Sequence, residues 1–122
     1  NDVKFSFNSY TVNRLTEAIG CAALSDKEYF EKTVQRVIDT RERTKKQLNG
    51  LGFSFADSKT NFVFATHKTV PAKELFDALR AEGIIVRYFN KPRIDNYLRI
   101  SIGTDEEMDT MLAFLTEYLK DK

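Results

Sequence analysis

Between Gly83 and Thr104 the chain reads GIIVRYFNKPRIDNYLRISIGT, two short apolar runs joined by a polar, proline-containing loop. Each run carries one arginine, Arg87 in the first and Arg99 in the second. Side chains of a β-strand alternate between the two faces of its sheet. Ile84, Val86 and Tyr88 therefore share one face of the first run, with Ile85 and Arg87 on the other. In the second run Leu98, Ile100 and Ile102 oppose Tyr97, Arg99 and Ser101. An antiparallel hairpin that buries both aliphatic sets forces Arg87 and Arg99 onto the same opposite face, as near neighbours. Like charges in that position cost roughly 0.2–1 kcal/mol. An anion between them removes the cost, because guanidinium forks match the oxygens of carboxylates and phosphates. The other outlet is a surface ion pair for each arginine, with acids such as Glu82 or Asp95. Spacing alone leaves both readings open.

The rest of the chain surrounds this hairpin with helices. Val12, Leu15, Ile19 and Ala22 or Ala23 recur at helical spacing within Tyr10 to Leu24. Ser25 and Glu28 form a capping-box pattern, which predicts a second helix. Phe30, Val34, Val37, Ile38, Leu48 and Leu51 mark its apolar stripe, and Gly50 and Gly52 end it. The run TRERTKKQ (Thr40 to Gln47) reads as its solvated face, since acidic and polar residues interrupt the basic ones. NFVFAT (Asn61 to Thr66) is aromatic and β-branched, hence a strand, and FSFA (Phe53 to Ala56) is a further candidate. Pro71 opens a helix, AKELFDALRAEG, which Gly83 closes. Thr104 caps a last helix whose first turn holds Asp105, Glu106 and Glu107, with a buried stripe of Met108, Met111, Leu112, Leu115 and Leu119. The order α-α-β-α-β-β-α predicts an α+β fold. Its sheet is small and mostly antiparallel, of about three to four strands, with helices packed on one face.

Bulk properties narrow the function classes. The chain has 122 residues and a formal charge of +1, from 19 Lys+Arg against 18 Asp+Glu, so it lacks the basic excess of a non-specific nucleic-acid binder. A single-stranded RNA reader stacking bases on Phe62, Phe64, Tyr88 and Tyr97 would need an RNP-type pattern, which is absent. Cys21, the one cysteine, cannot close an internal disulfide, and it reads as a packing residue among small helix neighbours. No apolar run approaches the roughly 18 residues that span a bilayer, and no signal peptide opens the chain, so a cytoplasmic location is expected. His67, in ATHKT, has no companions spaced for a metal and reads as a loop histidine. The chain starts with Asn1 and reads as a piece of something longer. Phe5, Phe7, Phe53 and Phe55 are candidates to cover a missing neighbour, and left bare they favour self-association.

Several stretches carry a family resemblance. VKFSFNSYTVNRLTEAIGCAAL, LNGLGF, SKTNFVFAT, LRAEGIIVRYF and YLRISIGTDEEMDTMLAFL, in that order, resemble the C-terminal part of the histidinol-phosphate aminotransferases. These are pyridoxal-phosphate enzymes of the aspartate-aminotransferase fold. The resemblance runs over essentially the whole chain. It implies that residues 1–122 are the small domain of such an enzyme, with 1–24 a helix leading in and 25–51 a long amphipathic helix. It assigns Arg99, in YLRISIGT, to the substrate carboxylate and Arg87, in GIIVR, to the substrate phosphate. It places Asn8 near the active site, although a turn or helix-capping role suits that residue at least as well.

The same resemblance implies pyridoxal phosphate in the full-length parent, and none bound to this segment. The family's Schiff-base lysine sits in a Ser-Lys motif before a glycine-rich stretch that is missing here. Ser58-Lys59 is instead the turn into the NF strand. The implied partners are a small amino-acid or phosphorylated substrate and the large domain of the same chain, in a homodimeric parent, with no nucleic acid and no membrane. The isolated segment is expected to be inactive. An aromatic-amino-acid aminotransferase of the same family is the neighbouring reading. A stand-alone anion-sensing α+β module is the reading from another class.

Overall fold

The structure, a computed structural model, describes residues 12–120 and 122. The chain divides into two compact units, residues 1–34 and 35–122. In the first unit, helix α1 spans Arg14–Ser25. Asn13 caps it, its side chain accepting a hydrogen bond from the Thr16 amide at 2.9 Å. Helix α2 spans Lys27–Gly50. Its start differs from the expected capping box. Ser25 turns back to donate to the Cys21 carbonyl at 2.8 Å and so closes α1. Asp26 takes over the cap of α2, accepting from the Tyr29 amide at 3.1 Å. Asp is as good a cap as Ser, and Ser25 is already used. α1 buries no residue. Cys21 is therefore exposed rather than packed.

The second unit is a four-stranded sheet covered by helices. Strands β1 (Phe53–Phe55), β2 (Phe62–His67), β3 (Arg87–Tyr88) and β4 (Leu98–Ser101) lie in the order β1-β2-β4-β3. All three pairings are antiparallel. Helices α3 (Ala72–Ala81) and α4 (Asp105–Tyr118) complete the unit. The fold is thus α+β in the expected order, and the candidate strand at Phe53 is real. Val63, Ala65, Leu98 and Ile100 put one sheet face into a core with Leu48 of α2, Leu75 and Leu79 of α3, and Met111 and Leu115 of α4.

Phe53 is part of that core at 1 % exposure, and Phe55 packs against it. Neither is the bare interface residue expected from sequence; Phe5 and Phe7 lie outside the described residues. Exposed large apolar side chains occur instead in the first unit, at Val12, Leu15, Ile19, Leu24, Tyr29, Phe30 and Val34, and at Ile85 in the second.

Two expectations fail for local reasons. The charged run of α2 is not simply a solvated face, because Thr40, Arg41 and Thr44 are buried. Arg41 and Leu48 lie on the helical stripe that runs from Val37, one and three turns on, so the stripe passes through the polar run. Partners make this tolerable for Thr40 and Arg41, whereas the Thr44 hydroxyl is buried without one. Arg41 donates to the Thr60 carbonyl at 3.1 Å and to Glu42 at 2.9 Å, and Thr40 donates to Asp105 at 2.9 Å.

His67 is no loop residue either; it ends β2 and is buried. Its Nε2 lies 2.9 Å from the Leu51 carbonyl and its Nδ1 accepts from the Val70 amide at 3.1 Å, so both ring nitrogens are engaged by backbone. These partners require the tautomer with the proton on Nε2.

Candidate anion-binding site on the open sheet face

The first hairpin strand is shorter than expected because the preceding helix claims its start. Gly83, at φ 76°, closes α3 in a Schellman motif. The Ile84 amide donates back to the Leu79 carbonyl at 2.9 Å, and Gly83 to Arg80 at 3.1 Å. The Ile84 amide is thereby taken from the ladder, and β3 begins at Arg87. The loop after it is tied down by Asn96. Its side-chain oxygen accepts from the Ala72 amide at 2.9 Å, capping α3, and its amide donates to Thr66 at 3.2 Å. Nothing in the sequence pattern marked Asn96, because its partners lie 24 and 30 residues away.

What remains of the hairpin sets the register. Arg87 pairs directly with Arg99, and Tyr88 with Leu98. On the other side of β4, Phe64 of β2 pairs with Arg99. A row Phe64–Arg99–Arg87 thus crosses three strands on the face turned away from the core, as the alternation requires. Arg87 is exposed and Arg99 half-buried. None of the ion pairs among the described residues includes either arginine, and none includes Glu82 or Asp95.

The Arg99 Nε is buried with no hydrogen-bond partner. Its guanidinium carbon lies 4.5 Å from the Phe62 ring centroid, and that of Arg87 lies 4.9 Å from Phe89. Phe64 stacks on Tyr97 at 4.8 Å and meets Phe89 edge-on at 6.0 Å. An open hollow of about 490 Å³ adjoins this wall, lined by Ser54, Phe55, Phe64, Thr66, Arg93 and Tyr97. The arrangement offers two unneutralised cations above an aromatic floor, which suits an anion with an apolar body.

A Schiff-base lysine needs a desolvated setting. Among the described residues no lysine is buried. Lys59 is exposed and ion-paired with Asp57 at 3.0 Å, and Lys45, Lys73, Lys120 and Lys122 are likewise paired with acids. The described residues thus offer only exposed or partly exposed lysine amines. They also hold no group of three His, Cys, Asp or Glu side chains placed for a metal, and no helix long and apolar enough to cross a membrane.

Sequence and fold together match one class of protein. The family model for aminotransferase class I and II matches residues 3–115, and the chain belongs to that family. Among individual relatives, it is 54 % identical over 121 residues to the histidinol-phosphate aminotransferase of Lactococcus lactis subsp. cremoris, covering 99 % of this chain and 34 % of that protein. It is 48 % identical over 120 residues to the enzyme of the same name from Brachyspira hyodysenteriae, covering 98 % of this chain and 34 % of that one. The crystal structure of histidinol-phosphate aminotransferase from Sinorhizobium meliloti in complex with pyridoxal-5'-phosphate superposes with a TM-score of 0.82 at 26 % identity, over 98 % of this chain and 34 % of that one. The chain thus spans about a third of the length of the relatives it matches.

Proposed function

We propose that this chain is the substrate-binding small domain of a pyridoxal-phosphate-dependent histidinol-phosphate aminotransferase, acting in histidine biosynthesis. On this reading Arg99 takes the carboxylate of the amino-acid or oxo-acid substrate, and Arg87 the phosphate of histidinol phosphate. The observation that carries the reading is the register of Arg87 opposite Arg99, with no acid paired to either among the described residues. Two cations held at fixed separation suit a ligand with two carboxylate ends or with one dianionic phosphate, and fixing those groups orients the rest of the molecule. Histidinol phosphate has a phosphorylated hydroxymethyl group where an amino acid has its carboxylate, so its phosphate is its one anionic end. In the glutamate half of the exchange the two arginines hold carboxylates instead. One pair of side chains so serves both substrates.

The cofactor and its lysine belong, on this reading, to the part of the longer protein outside this chain, as does the homodimer contact. The segment alone is expected to be inactive. The test is made in the full-length protein that contains it. Its cofactor absorbance is followed while histidinol phosphate or glutamate is added. Arg99→Ala is expected to keep the cofactor and to lose the response to glutamate by about a hundredfold or more, the loss of a charge-assisted bidentate contact. A variant that responds to glutamate as the parent does would refute the assignment.

A further inference from the structure

Arg99 has to point its fork outward without any acid to hold it. A partner carboxylate or carbonyl would orient the guanidinium, but would also consume donors and, if charged, cancel the positive charge that a ligand needs. The Arg99 Nε is buried and receives no such partner. The close neighbour that remains is the face of Phe62, 4.5 Å from the guanidinium carbon. Phe62 stands on β2 opposite Ser101, two residues along β4 from Arg99, so the contact is a diagonal one across the ladder. Phe64, directly opposite Arg99 and stacked on Tyr97, walls the site from within the sheet. Arg87 repeats the device on Phe89.

We propose that Phe62 is the positioning residue of Arg99. The negative face of its ring holds the guanidinium flat while leaving the outer donors and the whole charge for an anionic ligand. This rests on the reading of Arg99 as the carboxylate-binding residue. Aromaticity, not bulk, is what the position requires: an aliphatic side chain of similar volume fills the space but carries no quadrupole.

The probe is glutarate, a five-carbon dicarboxylate with neither amino nor keto group. It is titrated into the full-length cofactor-loaded protein, with binding read from the cofactor absorbance and from calorimetry. Phe62→Leu is expected to raise the glutarate dissociation constant about tenfold, and Phe62→Tyr to leave it within about twofold. Incorporating pentafluorophenylalanine at position 62, which keeps the shape and removes the negative face, is expected to act like Leu. That variant keeps the proposal testable should Phe62→Leu unfold, as judged by its thermal midpoint. Wild-type glutarate binding in the Leu or fluorinated variant, while Arg99→Ala abolishes it, overturns the role of Phe62 alone. Wild-type binding in Arg99→Ala overturns the reading beneath it as well.

Discussion

Lys45 of α2 is bonded both to Glu42 and to Asp57, which lies in the loop after β1, and Lys59 pairs with the same Asp57. These contacts, Lys45 first, pull the Asp57 carboxyl from 3.8 down to about 2. The shift lowers the folded-state value, so the pairs stabilise the fold fully above 3.8 and lose their effect as pH falls towards about 2. The cluster is exposed, so the contribution is modest and salt shrinks it. In urea melts the wild-type midpoint is expected to exceed that of Asp57→Asn at neutral pH. The gap should close across that acid window and narrow in high salt. A gap that grows on acidification would contradict the pairing.

Among the elements, α4 depends on its first turn. The Thr104 hydroxyl accepts from the Glu107 amide at 3.3 Å, and Glu107 reaches back to the Thr104 amide at 2.8 Å. Asp105 extends the same corner, accepting from Thr40 and pairing with Arg43 at 2.9 Å. Thr104→Ala is expected to cost about 1 kcal/mol in denaturant melts, with the m-value unchanged. A loss indistinguishable from zero would show that the Asp105 ties hold the turn without the cap. This cap was legible in the sequence, since its partners are three residues apart. The cap of α3 was not, because Asn96 reaches it from a distant loop. The cap of α2 was misplaced by one residue, between two good capping types that stand side by side.

For the whole molecule, the first unit leaves Val12, Leu15, Ile19, Phe30 and Val34 exposed. Leu15 and Ile19 stand one turn apart on α1, with Val12 just before its cap, and an apolar stripe of that kind is normally covered. In the longer relatives two thirds of the length lies outside this chain. The isolated segment is therefore expected to self-associate. Size-exclusion chromatography with light scattering should show species larger than a monomer, rising with concentration, and Leu15→Glu combined with Ile19→Glu should return it to a monomer. A clean monomer at all concentrations counts against this.

What sequence alone determined is whatever depends on neighbours along the chain: the helix and strand periods, the Thr104 cap, the Gly83 stop and, through period-two alternation, the shared face of Arg87 and Arg99. The core stripe of α4 belongs there too. Tertiary structure decided what depends on distant partners. It buried Arg41 and His67 by supplying the Thr60, Leu51 and Val70 backbone groups, shortened β3 by giving Ile84 to α3, and put the Phe62 ring against Arg99. Periodicity tells which side a residue faces, but only packing tells what it meets there.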